Sequence, residues 1–428
     1  MLNIFDMKKI IIPLFVLFSV FSVSAQFSVS GSQFYSYPVP NNLSGIDFVF
    51  IVNEINTAEL RYTGSYTTIN WFRFENPTVS ISNQSELFFL ETGGYIVRIN
   101  GNDTYIWIID YQQHLPNITY FEPVFDESDC DNTVLELNPN AVPPMVYFAF
   151  GNSLPRQINR EFTIRYQSLI YSDGNGRWID DEKSQSIVLP TSQQIRVPTS
   201  LHPNVVFTLS GDQFADRFNI THEFSSTAPA ITTIESRLTA IVTVRDALNE
   251  ISRPSEAEPT PPIIGSAPIN IEFQSRPSDE NAMVEWRIYR DNATTPLITR
   301  TDLNHRYIFT SHGRYDVKLM VTNGDCVHRD SLVVEVRESL LEVPNVFTPN
   351  NDGINDEFRV VYRSLESFHG WIYNSWGRLV FEWTDPARGW DGRVGGRNAP
   401  SGTYFYVIRA RGTDGVVYNL RGDVSIIR

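Results

Sequence analysis

Short runs of apolar residues, many alternating with polar ones, recur along most of this 428-residue chain. Alternation with a period of two is typical of a β-strand that buries one face. The runs are separated by clusters rich in Gly, Asn and Asp, such as residues 91–94 and 100–103, which favour turns. The pattern predicts an all-β protein of tandem Ig-like β-sandwich domains that ends in a small C-terminal β-sandwich. The clearest runs are 48–52, 69–74, 95–99, 105–109, 162–166, 205–209 and 240–244.

Proline residues divide these runs into groups. Pro143 and Pro144 separate the first group from the second, and the segment 254–262 is predicted to be a stiff, extended linker. Ig-like domains contain about 100 residues each. We therefore expect an Ig-like domain at 26–140, a second β-sandwich at 141–255, a third domain at 256–340 and the C-terminal domain at 341–428.

The third predicted domain has a regular strand near its end. Residues 313–323 follow the pattern Gly-x-Tyr-x-Val-x-Leu-x-Val-x-Asn. This stretch resembles the end of a polycystic-kidney-disease-type Ig module, while the middle of the domain departs from that family. The resemblance implies that 256–340 is a PKD-like Ig module that serves as a spacer.

Five short motifs follow one another in the C-terminal domain. They are VFTPNNDGINDEF at 346–358, IYNSWGRLVFE at 372–382, GWDGR at 389–393, PSGTYFYVI at 400–408 and GDVSIIR at 422–428. This order resembles the gliding-motility-associated C-terminal domain of Bacteroidota, with a departure at Ser375, where that family usually carries Arg. In that family the domain is the type B signal of the type IX secretion system. The resemblance implies binding to the type IX translocon and its associated outer-membrane β-barrel proteins.

The last motif alternates apolar and polar residues, and we expect it to form a free edge strand of the C-terminal sheet. An unpaired edge can add a strand to a partner sheet. Val424, Ile426 and Ile427 are therefore predicted docking residues. The residues predicted to form the core of this domain are Trp376, Trp390 and Tyr404.

Charge is unevenly distributed along the chain. The net charge is −15, but residues 344–428 hold ten Arg, no Lys and nine acidic residues, so they carry +1 and the rest carries −16. The acidic body argues against a nucleic-acid partner. Arg makes planar contacts with partner carboxylates, although ordinary solubility of strand faces explains the same Arg content equally well. The Arg residues predicted to contact a partner are Arg378, Arg409, Arg411, Arg421 and Arg428.

The N-terminal residues have the pattern of a secretory signal peptide. Met7 is followed by two Lys, residues 10–23 are apolar, and small residues precede Gln26. The apolar run is shorter than the ~20 residues that span a bilayer. We expect residues 1–25 to be removed by cleavage between Ala25 and Gln26 as the chain enters the periplasm. The resemblance of the C-terminal domain implies further export to the outer-membrane surface or the medium.

Only two cysteines are present, Cys130 and Cys326. An oxidising compartment permits a disulfide. A bridge between them would require two predicted domains to fold back on each other, because the cysteines are far apart in sequence. The sequence therefore favours two unpaired cysteines over a bridge.

The segment 173–182 is rich in acidic residues and glycine. Calcium prefers six to eight oxygen ligands on a flexible loop, and this spacing resembles calcium-binding loops of surface adhesins. The EF-hand motif fails, because Trp178 occupies the position where an EF-hand has Gly. A hairpin turn with solvated acids is the simpler interpretation. The candidate calcium ligands are Asp173, Asn175, Asp180 and Asp181; no other cofactor is expected.

The sequence contains no His-x-x-x-His zinc pair, no Gly-x-Ser-x-Gly elbow and no phosphate-binding loop. The absence of these motifs favours a non-enzymatic protein, and the resemblances of the third and C-terminal domains imply a protein of the gliding or adhesive surface, or one associated with the secretion machinery. Its expected further partners are surface polysaccharide or other adhesins. Carboxylate pairs have no fixed sequence spacing, and exposed aromatic residues can stack on sugars. A secreted polysaccharide-binding protein or carboxylate-dependent hydrolase is the alternative.

Overall fold

The computed structural model of the protein describes residues 26–40, 43–189 and 193–428. These residues form 34 β-strands and one α-helix of six residues, arranged in four consecutive units. The all-β class predicted from the sequence is confirmed. The predicted signal peptide, 1–25, lies outside the described residues, which include only Gln26 of the predicted cleavage site. Within the described ranges no helix is long and apolar enough to cross a membrane.

The first unit is a sandwich of a three-stranded and a five-stranded sheet. Its strands are β1 (Phe27–Ser30), β2 (Phe34–Tyr37), β3 (Phe48–Val52), β4 (Glu59–Tyr62), β5 (Ile69–Arg73), β6 (Glu86–Leu87), β7 (Gly93–Ile99) and β8 (Asn102–Asp110), with a 3₁₀ turn at Ile55–Thr57. The sheet orders are β1-β4-β6 and β2-β3-β8-β7-β5. Trp71 is fully buried between the sheets, where its indole N–H donates to the Gln84 carbonyl at 2.7 Å.

The second unit begins earlier than predicted. Its strands are β9 (Phe121–Pro123), β10 (Asn132–Leu137), β11 (Met145–Tyr147), β12 (Arg156–Ile158), β13 (Arg160–Ser172), β14 (Arg177–Leu189), β15 (Gln194–Pro198), β16 (Phe207–Asp212) and β17 (Glu223–Ser225), with helix α1 (Gln213–Phe218) and 3₁₀ turns at Tyr111–His114 and Phe125–Glu127. They pair as β15-β10-β9, β14-β13-β16-β17 and β11-β12. Because β9 and β10 pair with β15, residues 121–137 belong to this unit and not to the predicted 26–140 domain.

The third unit also begins before its predicted boundary. Its strands are β18 (Ser236–Val242), β19 (Ile263–Gly265), β20 (Ile269–Pro277), β21 (Met283–Arg290), β22 (Ile298–Arg300), β23 (Asn304–Phe309), β24 (Gly313–Asn323) and β25 (Cys326–Val336). The sheets are β18-β20-β23 and β19-β25-β24-β21-β22, packed around buried Trp286. The proline-rich segment 254–262 joins β18 to β19, so it is a loop inside this sandwich and not a linker between domains.

The C-terminal domain has a five-stranded main sheet. Its strands are β26 (Leu340–Glu342), β27 (Val346–Phe347), β28 (Val361–Arg363), β29 (Leu365–Tyr373), β30 (Leu379–Trp383), β31 (Arg393–Val394), β32 (Arg397–Asn398), β33 (Gly402–Gly412) and β34 (Val417–Ile426). The main sheet runs β27-β34-β33-β29-β30, with two-stranded sheets β26-β28 and β31-β32 beside it. Its long antiparallel strands place one face on the core, as the alternation in sequence predicts.

The first and second units share an apolar interface. Buried Val49 and Ile51 of the first unit belong to the same cluster as Met145, Tyr147 and Phe214 of the second. Burial of apolar surface in this cluster stabilises the contact between the two units.

A disulfide joins the second unit to the third. Cys130 and Cys326 are bonded, with their Cα atoms 5.5 Å apart. The expectation that they stay unpaired is therefore wrong: the two units lie side by side, and Cys130 packs against the core of the third unit. The β13–β14 hairpin supports the same contact, because the indole N–H of Trp178 donates to the Arg276 carbonyl at 2.9 Å.

The third unit and the C-terminal domain are joined by backbone pairing. Ile251 donates to the Tyr362 carbonyl at 2.9 Å, and Tyr362 donates to the Asn249 carbonyl at 3.1 Å. Next to this pairing, the Ser364 N–H donates to the Ser266 hydroxyl at 2.9 Å. The third unit therefore extends β28 with its own backbone, which fixes the C-terminal domain beside it.

Candidate functional site

One face of the main C-terminal sheet is packed on the core and the other is open to solvent. In β33, Tyr404 and Ile408 are buried, whereas Phe405 and Arg409 are exposed. Pairing with β29 and β34 aligns further side chains on the same open side. We call this side the outer face: His369, Trp371 and Tyr373 of β29, Phe405, Val407, Arg409 and Arg411 of β33, and Asn419, Arg421 and Asp423 of β34.

Trp371 is held in place at the centre of the outer face. The His369 ring stacks on it with 3.8 Å between ring centroids. The Glu382 carboxylate accepts the indole N–H of Trp371 at 3.0 Å and lies 2.7 Å from Nε2 of His369. The Arg409 guanidinium lies 6.0 Å from the indole centroid, at the outer limit of a cation–π contact. The face thus presents an ordered aromatic and cationic surface.

The tip of the β29–β30 hairpin carries an exposed tryptophan. Trp376 is 89% exposed, so the prediction that it forms part of the core is wrong. It stands in the turn between the strands, where the side-chain oxygen of Asn374 accepts the N–H groups of Trp376 at 3.1 Å and Arg378 at 2.9 Å. The turn directs the indole away from the domain.

The other two predicted core residues lie in the core. Trp390 and Tyr404 are buried, and their rings meet edge to face at 5.0 Å. The Trp390 indole donates to the Arg393 carbonyl at 2.8 Å, and the Tyr404 hydroxyl donates to the Pro400 carbonyl at 3.0 Å. Both polar groups are thus satisfied, as burial requires.

The predicted edge strand is paired on both sides at its end. Val346 and Phe347 of β27 pair in parallel with Ser425 and Ile426 of β34, while β33 pairs with the other side. Val424 and Ile426 belong to the core, so their prediction as docking residues is wrong for the folded domain. Ile427 is exposed. Among the described residues, no strand pairs with the free edge of β34 over residues 417–424.

The predicted Arg contacts occupy three different places. Arg409, Arg411 and Arg421 lie on the outer face, and Arg378 is exposed at the hairpin tip. The Arg428 guanidinium is engaged within the domain, donating to the carbonyl of Gly392 at 2.8 Å and also to that of Ala399. These donors anchor the 392–399 segment, while Arg428 remains exposed, so its role as a docking residue stays a prediction.

The C-terminal domain matches the family described as CHU_C type IX secretion signal domain over residues 341–420. The chain carries a type IX secretion signal domain. A signal of this kind implies export to the cell surface or extracellular space. The second unit matches the fibronectin type III domain family over residues 122–226. Both are non-catalytic kinds of domain.

Solved structures give only distant likenesses. A tetra-tandem repeat from the extending region of a large adhesion protein is 12% identical, with 88% of this chain and 96% of that chain covered and a TM-score of 0.21. Immunoglobulin domains 1–5 of Sidekick-1 are 12% identical, covering 94% and 80% with a TM-score of 0.26. Latent PorU from Porphyromonas gingivalis is 10% identical, covering 77% and 36% with a TM-score of 0.17. Scores this low carry no argument about function, and no curated protein matches significantly.

The long turn of the secretion signal domain is held by its own side chains. The Asp356 carboxylate accepts the N–H groups of Asn351 at 2.6 Å and Gly353 at 2.7 Å. The Asn350 amide donates to Asp352 at 2.8 Å, and this bond and the Ile354 N–H lower the Asp352 pKa. These acids stabilise the turn that the Asx-rich sequence predicts.

The structure does not bring the candidate calcium ligands together. Asp173 and Asn175 lie in the β13–β14 turn, whereas Asp180 and Asp181 follow on β14, where neighbouring side chains point to opposite faces. Asp173 pairs with Arg237 at 3.2 Å, and Asp181 pairs with Lys183 at 2.6 Å. In the described ranges, no three His, Cys, Asp or Glu side chains are placed to hold a metal ion. The geometry therefore gives no support to the predicted calcium site.

Several residues of the outer face were not predicted from the sequence to contact the secretion machinery. Trp371, His369 and Phe405 alternate with the buried residues of their strands, and Glu382 lies across from Trp371 in β30. Period-two alternation would have grouped Trp371 with His369 and opposite to buried Ile372. It could not show which group faces solvent.

Proposed function

We propose that this protein is a non-enzymatic component of the bacterial surface whose folded secretion signal domain is bound by the type IX translocon and its outer-membrane β-barrel partners. The observation that carries the proposal is the outer face, where half-buried Trp371 is held by Glu382 and lies beside the exposed Arg409. Aromatic residues and Arg are enriched in protein interfaces. The complete core beneath the outer face lets the domain be bound in its folded state.

The three preceding units are proposed to form an adhesive or gliding-associated body. Each unit is fixed to the next, by the apolar cluster around Val49, by the Cys130–Cys326 bond and by the pairing of Ile251 with Tyr362. A body with fixed joints keeps its binding surfaces at a defined distance from the secretion signal domain. Other adhesins or surface polysaccharide are its proposed partners.

Deletion of the secretion signal domain tests its role in export. A chain ending at residue 339 should accumulate in the periplasm of a host with a working type IX system, while the full chain reaches the surface or medium. Fractionation with mass spectrometry measures both, and a periplasmic marker enzyme controls for lysis. Export of the shortened chain would contradict the proposal.

A cleft between the second and third units favours the alternative function. Its volume is about 530 Å³, and it is lined by Tyr171, Trp178, Glu235 and Asp330 among others. Aromatic rings and two carboxylates in one cleft are the groups that a polysaccharide-binding protein or glycoside hydrolase uses. A glycan array would support this alternative if the full chain bound a glycan and Trp178→Ala lost it. Absence of binding would leave the adhesive body as the better account.

A further inference from the structure

The hairpin tip of the secretion signal domain displays a tryptophan on a turn whose backbone is fixed. The Asn374 N–H donates to the Arg378 carbonyl at 3.0 Å, and the Gly377 N–H donates to the Asn374 carbonyl at 2.9 Å. Gly377 has φ of +76°, a conformation that glycine adopts without strain. With the two further bonds to the Asn374 side chain, the turn loses little backbone freedom on binding. The exposed indole of Trp376 is thus preorganised for contact.

Further exposed apolar side chains lie on the strands next to the turn that carries Trp376. Tyr373 pairs with Leu379 on one side and with Phe405 on the other, so the three side chains form a row across β30, β29 and β33. Leu379 is 44% exposed and Phe405 is 48% exposed. We call Tyr373, Trp376, Leu379 and Phe405 the tip patch. Exposed apolar groups of this kind in one place are typical of interaction sites.

Two arginines lie near the tip patch. Arg378 adjoins Trp376 in the turn, and Arg421 lies across β33 from Trp371, at the far side of Val407. Neither guanidinium forms an ion pair with another described residue. Asp423 lies opposite Phe405, and the same face also carries the acidic Glu382 across from Trp371. The free guanidinium groups complement carboxylates on a partner.

We propose that Trp376 is the anchor of the secretion signal domain, inserting into an apolar pocket of a protein partner whose rim carries carboxylates for Arg378 and Arg421. This rests on the proposed function and names the residue that dominates it. Buried Trp residues ringed by polar contacts carry much of the binding energy in many interfaces. A protein pocket fits better than a lipid surface because the patch continues from the tip to Phe405 in the middle strand of the sheet.

Export of single variants of the full chain tests the anchor. Trp376→Ala should lower the exported fraction about tenfold or more, as expected for a central interface aromatic residue, and Trp376→Phe should restore part of it. Phe125→Ala removes another exposed aromatic residue, in the second unit, and should leave export unchanged. Thermal unfolding of each purified variant checks that the domain stays folded.

The outcomes separate the anchor from the proposed function. Normal export of Trp376→Ala, with retention of the chain that ends at residue 339, would overturn the anchor and keep the export role. Export of both Trp376→Ala and the chain that ends at residue 339 would overturn both the anchor and the proposed function. Trp376-dependent binding of the full chain to vesicles with anionic lipids, without an effect on export, would assign the residue to a membrane surface and likewise overturn the protein pocket.

Discussion

The Arg160 guanidinium and the Asp212 carboxylate form an ion pair of 2.5 Å in which neither side chain is exposed to solvent. Asp212 also accepts the Tyr111 hydroxyl at 2.8 Å and the Ala215 N–H at 2.9 Å. The Arg160 guanidinium donates to the His114 carbonyl at 2.7 Å. Tyr111 and His114 lie in the first 3₁₀ turn of the second unit, directly after β8 of the first unit, so this buried network fixes the start of the second unit to β13 and β16.

Removal of the Asp212 carboxylate should strongly destabilise the second unit. Asp212→Ala leaves Arg160 charged and buried without its partner, a change that costs about 3–5 kcal/mol in the free energy of unfolding. Urea unfolding of the full chain, followed by tryptophan fluorescence, measures the loss. Glu223→Ala is the matched control, because its ion pair with Arg165 at 2.9 Å is exposed and contributes at most about 1 kcal/mol. Equal losses in both variants would contradict the assignment.

Acid should weaken the same junction through His114. Burial, followed by the nearby Arg160 charge, lowers the His114 pKa from its ordinary value of 6.5. The folded state therefore binds its proton less readily than the unfolded state does. The contribution of neutral His114 to the free energy of unfolding is complete above pH 6.5. It is lost as the pH falls towards the lowered pKa of the folded state.

A glutamine at position 114 removes this titration. The unsubstituted protein should lose more stability between about pH 7.5 and pH 5.5 than the His114→Gln variant does. Only the unsubstituted protein takes up a proton at position 114 on unfolding. Thermal midpoints at the two pH values give the comparison. An identical pH dependence in both proteins would show that His114 contributes nothing to it.

Reduction of the Cys130–Cys326 bond should loosen the second and third units from each other. Closing a long loop by a disulfide stabilises a fold by about 2–4 kcal/mol, chiefly by restricting the unfolded chain. The Cys130→Ser, Cys326→Ser double variant should therefore unfold at a lower urea concentration and be cut faster by trypsin near this junction. The oxidised chain treated with reductant should behave like the double variant, and unchanged proteolysis in both would contradict the expectation.

Replacement by alanine should destabilise the secretion signal domain at one of its tryptophans and have little effect on stability at another. Trp390 is fully buried, so Trp390→Ala should destabilise the domain by about 3–5 kcal/mol. Trp376 is exposed, so Trp376→Ala should change stability by less than about 0.5 kcal/mol. Hydrogen exchange of the β33 amides reports the stability of this domain within the full chain. Similar losses of protection in the two variants would contradict the assigned positions.

The sequence predicted where the strands of this protein lie better than it predicted which strands pair with each other. Alternation identified the all-β class and the strands that contain Trp71 and Tyr404. It assigned residues 121–137 to the wrong unit because β10 pairs with β15, more than fifty residues later in the chain. The proline content of 254–262 led to the wrong prediction of a linker between domains, because a loop within one sandwich can have the same composition as a linker.

The functional residues were harder to predict, because exposure depends on contacts between distant segments. Val424 and Ile426 share one face of their strand, as predicted, but Val346 and Phe347 cover the strand end from far along the chain. Trp376 and Trp390 each stand next to a glycine in sequence, and only packing separates the exposed one from the buried one. The disulfide likewise depends on how two units lie together.

The central claim is that the outer face of the folded secretion signal domain is what the export machinery binds. Charge reversal there, by Arg409→Glu with Arg421→Glu, tests it most directly, with Arg388→Glu and Arg397→Glu as a matched control elsewhere on the same domain. We expect the outer-face variant to stay folded and accumulate in the periplasm, while the control reaches the surface or medium. Normal export of a folded outer-face variant would contradict the claim.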